Sequence, residues 1–323
     1  MTARRPLLAA SLGALLAKPA LAQTAWPSRP VSIVVPYVPG GPSDLLARAV
    51  AVPLQAAIGQ PVVVENRTGG NGVVAVQHVM RQPADGHTLF IAASGIMTVT
   101  PAINTRLPYD PVQDFTPLTV AISAPNLMVV NPGVPATNLA ELIAWLKAHP
   151  NTASFGSSGI GSSEQLGMEL FKLLTATQAT HVPYPGGGAA VTDLVSGTLQ
   201  LSLLNIATVA PHVTGGRLRA IAVGGTQRHP LLPEVPTFAE AGLANYTTGS
   251  WHGIVGPRGM APALQTRVQE ALRTALRHPE IAPRLAATGF AVEATDGAAL
   301  QSLVETDLTR WREVVRSANL AVS

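Results

Sequence analysis

Hydrophobic positions along this chain follow two alternating rhythms. Short, nearly continuous apolar runs fall at 31–35 (V-S-I-V-V), 61–65 (P-V-V-V-E), 88–93 (T-L-F-I-A-A), 153–157, 180–184, 199–203 and 218–223. Runs of this length, rich in β-branched residues and bounded by Pro, Gly or Asn, read as buried strands. Between and after them, apolar residues recur every three or four places up to Gly59, over 73–81, 139–148, 162–174 and 189–195, and in three closing segments, 262–277, 279–288 and 298–317. That is the spacing of helices with one buried face. Strands alternating with helices predict βαβ units, hence an α/β fold.

Three stretches set the domain plan. The apolar segment 116–130 is long enough for two strands and is expected to break at Pro125; strand character returns from Thr247 through Val255. Segment 230–236 carries Pro230, Pro233 and Pro236 and cannot be a central strand. The three closing helices have no sheet of their own to cover, so the chain is expected to cross out of a first lobe and come back to it. The predicted division is 23–122 with 248–323 as domain 1 and 123–247 as domain 2, leaving a cleft between them, the usual place for a small ligand. At 323 residues the chain is long enough for two such domains.

Four strand ends run into helices through donor-rich loops. In the first, Y-V-P-G-G-P-S-D at 37–44, Gly40 and Gly41 permit positive φ and close approach to backbone amides, and Ser43 or Asp44 is the expected N-cap. Free amides at a helix start and its partial positive charge suit an anion. The second, F-G-S-S-G-I-G-S-S-E-Q-L at 155–166, offers Ser157, Ser158 and Gly159 before a helix capped by Ser162 or Ser163, with Gln165 in its first turn. The third is Y-P-G-G-G-A at 184–189, including Gly186, Gly187 and Ala189; the fourth is Ser94-Gly95-Ile96. Each alone is also an ordinary turn, but open α/β sheets bind ligands at strand C-terminal ends, and four such loops point there together. Asn205 either offers its amide to a ligand or caps the following helix; Tyr37 and Trp251 either wall the pocket or pack in the core.

Composition narrows the chemistry. Residues 1–22 carry Arg4 and Arg5, an apolar run over 7–17 and Ala20-Leu21-Ala22, the layout of a secretory signal cleaved near Ala22. Both general secretion and the twin-arginine route accept it. The full chain has 21 basic and 18 acidic residues, and three of the basic ones lie in that leader, so the exported part is formally neutral and has no basic excess for nucleic acid. With no cysteine, disulfides, thiol catalysis and thiolate metal sites are excluded. There is no G-x-x-x-x-G-K-[ST], no G-x-G-x-x-G, no G-x-S-x-G around Ser158 and no H-E-x-x-H, so no cofactor and no metal are expected. The eight histidines stand singly and read as structural or surface residues.

Several blocks carry a resemblance. P-Y-V-P-G-G at 36–41, Q-P-V-V-V-E-N-R at 60–67, L-P-Y-D-P at 107–111, H-V-P-Y at 181–184, L-R-A-I-A-V at 218–223, and V-P-T at 235–237 with E-A-G at 240–242 resemble the Bug-type solute-binding receptors of tripartite tricarboxylate transporters, in order along nearly the whole exported chain. The resemblance implies a periplasmic, two-lobe binding protein (Venus flytrap, type II) with two mixed or parallel sheets flanked by helices and two crossover segments. It implies capture of a small carboxylate and delivery to a two-component membrane permease. First-loop contacts then fall on Pro39 to Asp44, taking in Gly40, Gly41 and Ser43. Those of the second domain fall on Ser157, Ser158, Gly159, Ser162, Ser163 and Gln165, with 186–189 nearby.

The departures are Pro42 and Ser43 where the family usually has Gly and Thr, Ile160 where Asn is frequent, Gln165 where His is frequent, and L-L-N at 203–205 where F-D-N is frequent. They imply a stiffer first loop, no acid at 204 for an amino-acid ammonium, and a pocket suited to an aromatic or aliphatic acid over citrate. Two other classes remain open at this level: an exported hydrolase using Ser157 or Ser158, and a ligand sensor for a signalling membrane protein.

Overall fold

The computed structural model describes residues 26–320, apart from 151 and 287. The predicted leader at 1–22 and its cleavage site lie outside them. The chain begins β1 (Val31–Val35), α1 (Pro42–Ile58), β2 (Val62–Asn66), α2 (Val73–Met80) and β3 (Thr88–Ala93). It continues through a π-helical turn (Gly95–Val99) into α3 (Thr100–Ile103) and then β4 (Phe115–Val130). The second set is α4 (Leu139–Ala148), β5 (Ser154–Ser157), α5 (Ser163–Thr175), β6 (Thr180–Pro183), α6 (Gly187–Ser196), β7 (Leu201–Asn205), α7 (Ile206–Thr214) and β8 (Arg219–Val223). The chain closes with β9 (Gly249–Pro257), α8 (Pro262–Leu276), α9 (Ile281–Ala286), β10 (Ala291–Val292) and α10 (Gly297–Ser317).

The sheet order is β2-β1-β3-β9-β4-β7-β5-β6, with β8 and β10 also paired to β4. Pairs β1–β2, β1–β3, β5–β6 and β5–β7 are parallel, whereas β4 and β9 run antiparallel to their neighbours. The two mixed sheets therefore meet on one shared strand. Helices cover both: α1, α8 and α9 pack with β1, β3 and β4 around Leu46, Leu54, Ile91, Leu272 and Ile281, and a separate core around Met128, Phe155, Phe171, Phe238 and Tyr246 serves the second set. The closing helices do return to the first sheet. α10 also reaches α5, where Trp311, Leu308 and Val315 share a cluster with Leu166.

Two expectations need correction. Residues 115–130 form one strand, not two broken at Pro125. Pro125 stands where the partner of β4 changes from β9 (Pro125↔Gly249) to β8 (Leu127↔Val223), so its missing N–H interrupts no run of ladder bonds. The glycines at 187 and 188 belong to α6, not to the loop before it, because Gly186, at φ +150°, is the cap.

Candidate functional site

The first loop is built around one carboxylate. Gly40 takes the left-handed φ of +90°, and Gly41, extended, is the N-cap of α1, with no side-chain capping bond. Neither Ser43 nor Asp44 caps it, as the pattern had suggested: Pro42 has the φ a helix needs and no N–H to satisfy, so it serves as the first helical residue. Asp44 Oδ2 accepts hydrogen bonds from the Gly40 amide and Arg48 Nε, and Oδ1 accepts one from Asn66 Nδ2, each at 2.9 Å. These donors, Arg48 foremost, hold the Asp44 pKa down to about 2 from its ordinary 3.8.

Because the folded state lowers this pKa, the stabilisation is complete above about pH 4 and is lost as pH falls towards 2. Asp44→Asn is thus expected to cost about 2 kcal/mol at pH 7, and the gap to the native protein should close as pH approaches 2, read by thermal unfolding across that range.

With Pro42 at the start of α1, Ser43 stands one residue further in, where the backbone N–H lies outside the helical ladder. The residue is 1% exposed, and its buried hydroxyl has no hydrogen-bond partner. On the second lobe, Ser162 Oγ caps α5 by accepting the Gln165 amide at 3.2 Å, and the Gln165 Oε1 accepts the Gly161 amide at 2.7 Å. Ser158 Oγ donates to Glu164 Oε2 at 2.8 Å. Asn205 does cap α7, its Oδ1 accepting the Ala207 amide at 3.0 Å.

These pieces face a cleft of about 510 Å³. Of the residues singled out from sequence, Tyr37, Ser43, Ser94, Ser158, Ser162, Ser163 and Asn205 line it. The others do not. Pro39, Gly40, Gly41 and Asp44 shape the first loop. The carbonyl of Ile96 accepts the Tyr109 hydroxyl at 2.7 Å, and the residue is buried in the core. Gln165 is spent on Gly161. Gly187 sits behind Thr208, which does line the cleft, and Gly186 and Ala189 lie with it off the wall.

Ser157, fully buried, lies 2.7 Å from His181 Nε2 and 3.0 Å from the Gly159 carbonyl. The pair has nucleophile-and-base spacing, but it is sealed from the cleft. Gly159 bonds Ser157 through its amide as well. Burial, and next Lys172, lower the His181 pKa, so the imidazole is neutral.

Sequence reasoning missed the wall that β9 and the stretch before β10 supply: Ser250, His252, Thr288 and Phe290, with Asn71 and Thr100 on the first lobe and Thr208 on the second. His252 is 6% exposed on β9, paired to Ala93 on one side and Ile122 on the other; its ring stands edge-on to Phe290, centroids 5.5 Å apart. Burial drives its pKa from 6.5 to about 4, leaving the imidazole uncharged near neutrality, and Nδ1 has no partner. The available signal was the alternation S-W-H-G, which puts Ser250 and His252 on one face of a strand. Trp251, on the other face, is core: its indole donates to Asp307 at 2.8 Å. Among the described lining residues there is no Lys or Arg, and Glu164 is the one carboxylate.

Residues 46–320 match the tripartite tricarboxylate transporter family receptor. The chain belongs to that family. This receptor is 33% identical to Protein BugT of Bordetella pertussis over 302 residues, covering 93% of this chain and 92% of BugT. Among solved structures it is similar to R. palustris Rpa4515 with adipate, at 35% identity and a TM-score of 0.76, covering 92% and 99% of the two chains. It is similar also to MatC from Rhodopseudomonas palustris with bound malate, at 31% identity, a TM-score of 0.73, and 90% and 100% coverage. The protein is a solute-binding receptor with the two-lobe periplasmic binding protein architecture, and the family and its neighbours are receptors, not enzymes.

Proposed function

We propose that this receptor captures a small organic carboxylate in the cleft, in the periplasm, and delivers it to a two-component membrane permease. The observation that carries this is Ser43: a residue 1% exposed, its buried hydroxyl without a partner, in the first turn of α1 on the wall of a cleft that both lobes line. A buried hydroxyl is ordinarily bonded, and one left open beside unpaired helix amides is an acceptor's complement. Direct contacts come from Tyr37, Ser43, Ser94, Ser158, Ser162, Ser163 and Asn205. The neighbouring Pro39, Gly40, Gly41, Asp44, Ile96, Ser157, Gly159, Gln165, Gly186, Gly187 and Ala189 hold those contacts in place. That relatives of about one-third identity hold adipate and malate supports the same ligand class here.

Lobes at 23–122 with 248–323, and at 123–247, close as rigid bodies about the β4 and β9 crossings, which dries the cleft and strengthens each hydrogen bond to the anion. Neutral donors suffice in such a site and let the ligand leave again. With no cation on the wall and one carboxylate already there, an aliphatic or aromatic acid binds more tightly than citrate. Native mass spectrometry of the protein from its host should find a co-purified organic acid, and calorimetry should rank adipate or benzoate above citrate. Purification without any acid, together with no thermal stabilisation by acids of any size, overturns the reading; citrate as the tightest ligand removes the preference alone.

A further inference from the structure

One acid on the wall of an anion-binding cleft needs an explanation. Glu164, in the first turn of α5, is only 9% exposed and lines the cleft. The Ser158 hydroxyl donates to its Oε2 at 2.8 Å, and no Lys, Arg or His pairs with it among the described residues. The basic residue of α5, Lys172, is taken by Glu169 through bonds of 2.8 and 2.9 Å. A carboxylate this deep ordinarily has a cation or several donors, and here one hydroxyl serves. Its position at the helix start relieves part of its charge, but the helix dipole offers no specific partner to the oxygen left open. On the other lobe, His252 lines the same cleft, and its buried Nδ1 is likewise without a partner. A wall made for carboxylates alone gains nothing from either group, since Glu164 repels a second anion across a site with no compensating cation.

We propose that Glu164 and His252 determine ligand specificity: the acid bound here carries, apart from its carboxylate, a hydrogen-bond-donating group, an ammonium or a hydroxyl, which Glu164 accepts while the imidazole of His252 supplies a further neutral contact from the facing lobe. This rests on the carboxylate-receptor reading above. Its chemistry divides the cleft into a donor-rich end at Ser43 and α1, which takes the ionised carboxylate, and an acceptor end at Glu164, which takes the donor. A hydrogen bond to an ionised group, once water is excluded, discriminates more strongly than the size of an apolar tail does.

The test is a set of acids that differ only at the far end. Hexanoate, adipate, 6-hydroxyhexanoate and 6-aminohexanoate, with the four-carbon set butyrate, succinate, 4-hydroxybutyrate and 4-aminobutyrate, are titrated by calorimetry against the native receptor, Glu164→Gln and His252→Phe. In one chain length or the other, the hydroxyl- or amino-ended acid is expected to bind at least tenfold more tightly than the methyl-ended one, and the carboxylate-ended acid no better than the methyl-ended one. Which of the two donors leads identifies the group. In Glu164→Gln the advantage should fall to within about threefold, with methyl-ended binding equal to or tighter than in the native receptor because a negative charge has left the wall, and His252→Phe should weaken the donor-ended acid several-fold. Thermal unfolding of each variant confirms that it is folded, with Glu164→Ala as the second variant if the amide perturbs α5.

Equal or tighter binding of the methyl- or carboxylate-ended acids overturns the inference and leaves the receptor reading standing. So does an advantage that survives in Glu164→Gln. Failure of all eight acids to bind overturns this inference, and the receptor reading then stands or falls on the native mass spectrometry and thermal stabilisation described above.

Discussion

Ser43→Ala is expected to make the unliganded receptor slightly more stable and its carboxylate complex much weaker. The hydroxyl is buried without a partner, so its removal relieves a desolvation cost of about 1 kcal/mol that the free protein carries. Bound to a carboxylate, the same hydroxyl gives a charge-assisted hydrogen bond worth roughly 1.5–3 kcal/mol, so affinity should fall about 10- to 100-fold. Thermal unfolding without ligand and calorimetry with adipate measure the two effects, and their opposite signs separate a binding hydroxyl from a structural one. A variant that loses both stability and affinity would place Ser43 in the scaffold. Ser162→Ala makes a contrast: that hydroxyl is the N-cap of α5, so stability falls with any loss of affinity.

The largest effect on folding should come from Gly224→Ala. Gly224 follows β8 at the point where β4, β8 and the chain entering β9 meet; its amide donates to the Asn126 carbonyl at 2.8 Å, and its carbonyl accepts the Thr248 amide at 3.0 Å. A Cβ there would be driven into the Thr248 carbonyl oxygen and its methyl group, with the Asn126 carbonyl 3.1 Å away. Two of those atoms are backbone held by the ladder and cannot step aside. The cost should be about 3 kcal/mol or more, lowering the melting temperature by roughly 6 to 12 °C. Gly188→Ala, within α6, meets nothing within 4 Å and should be neutral or slightly stabilising, because alanine has the higher helix propensity.

Much of this molecule could be read along the chain. The strands at 31–35, 88–93 and 218–223, the helices at 139–148 and 163–175, the loops at 37–44 and 155–166 and the return of the last helices to the first sheet follow from apolar period and turn chemistry. These act over a few residues, and the residues carry them openly. The same holds for Ser162, whose position before an apolar-periodic run marks it as a cap. Less legible was what each loop side chain does once the loop is folded. Asp44, Gln165 and Ser157 are polar residues in the right places. Even so, Asp44 is saturated by Gly40, Arg48 and Asn66, Gln165 by Gly161, and Ser157 is enclosed with His181. In these three the side chain is taken up within the scaffold and does not line the cleft, and which bonds are made is a matter of angstroms that sequence spacing does not specify.

What the sequence by itself determined was the alternation of strands and helices, the two-part plan and the donor-rich ends of the strands, because backbone preference and hydrophobic period are local. Only the tertiary structure decided that β4 runs unbroken past Pro125, that β9 inserts between β3 and β4, and that His252 and Phe290 thereby reach the same cleft as Glu164. Antiparallel register joins residues far apart along the chain, and the burial that neutralises His252 exists only once those strands are side by side.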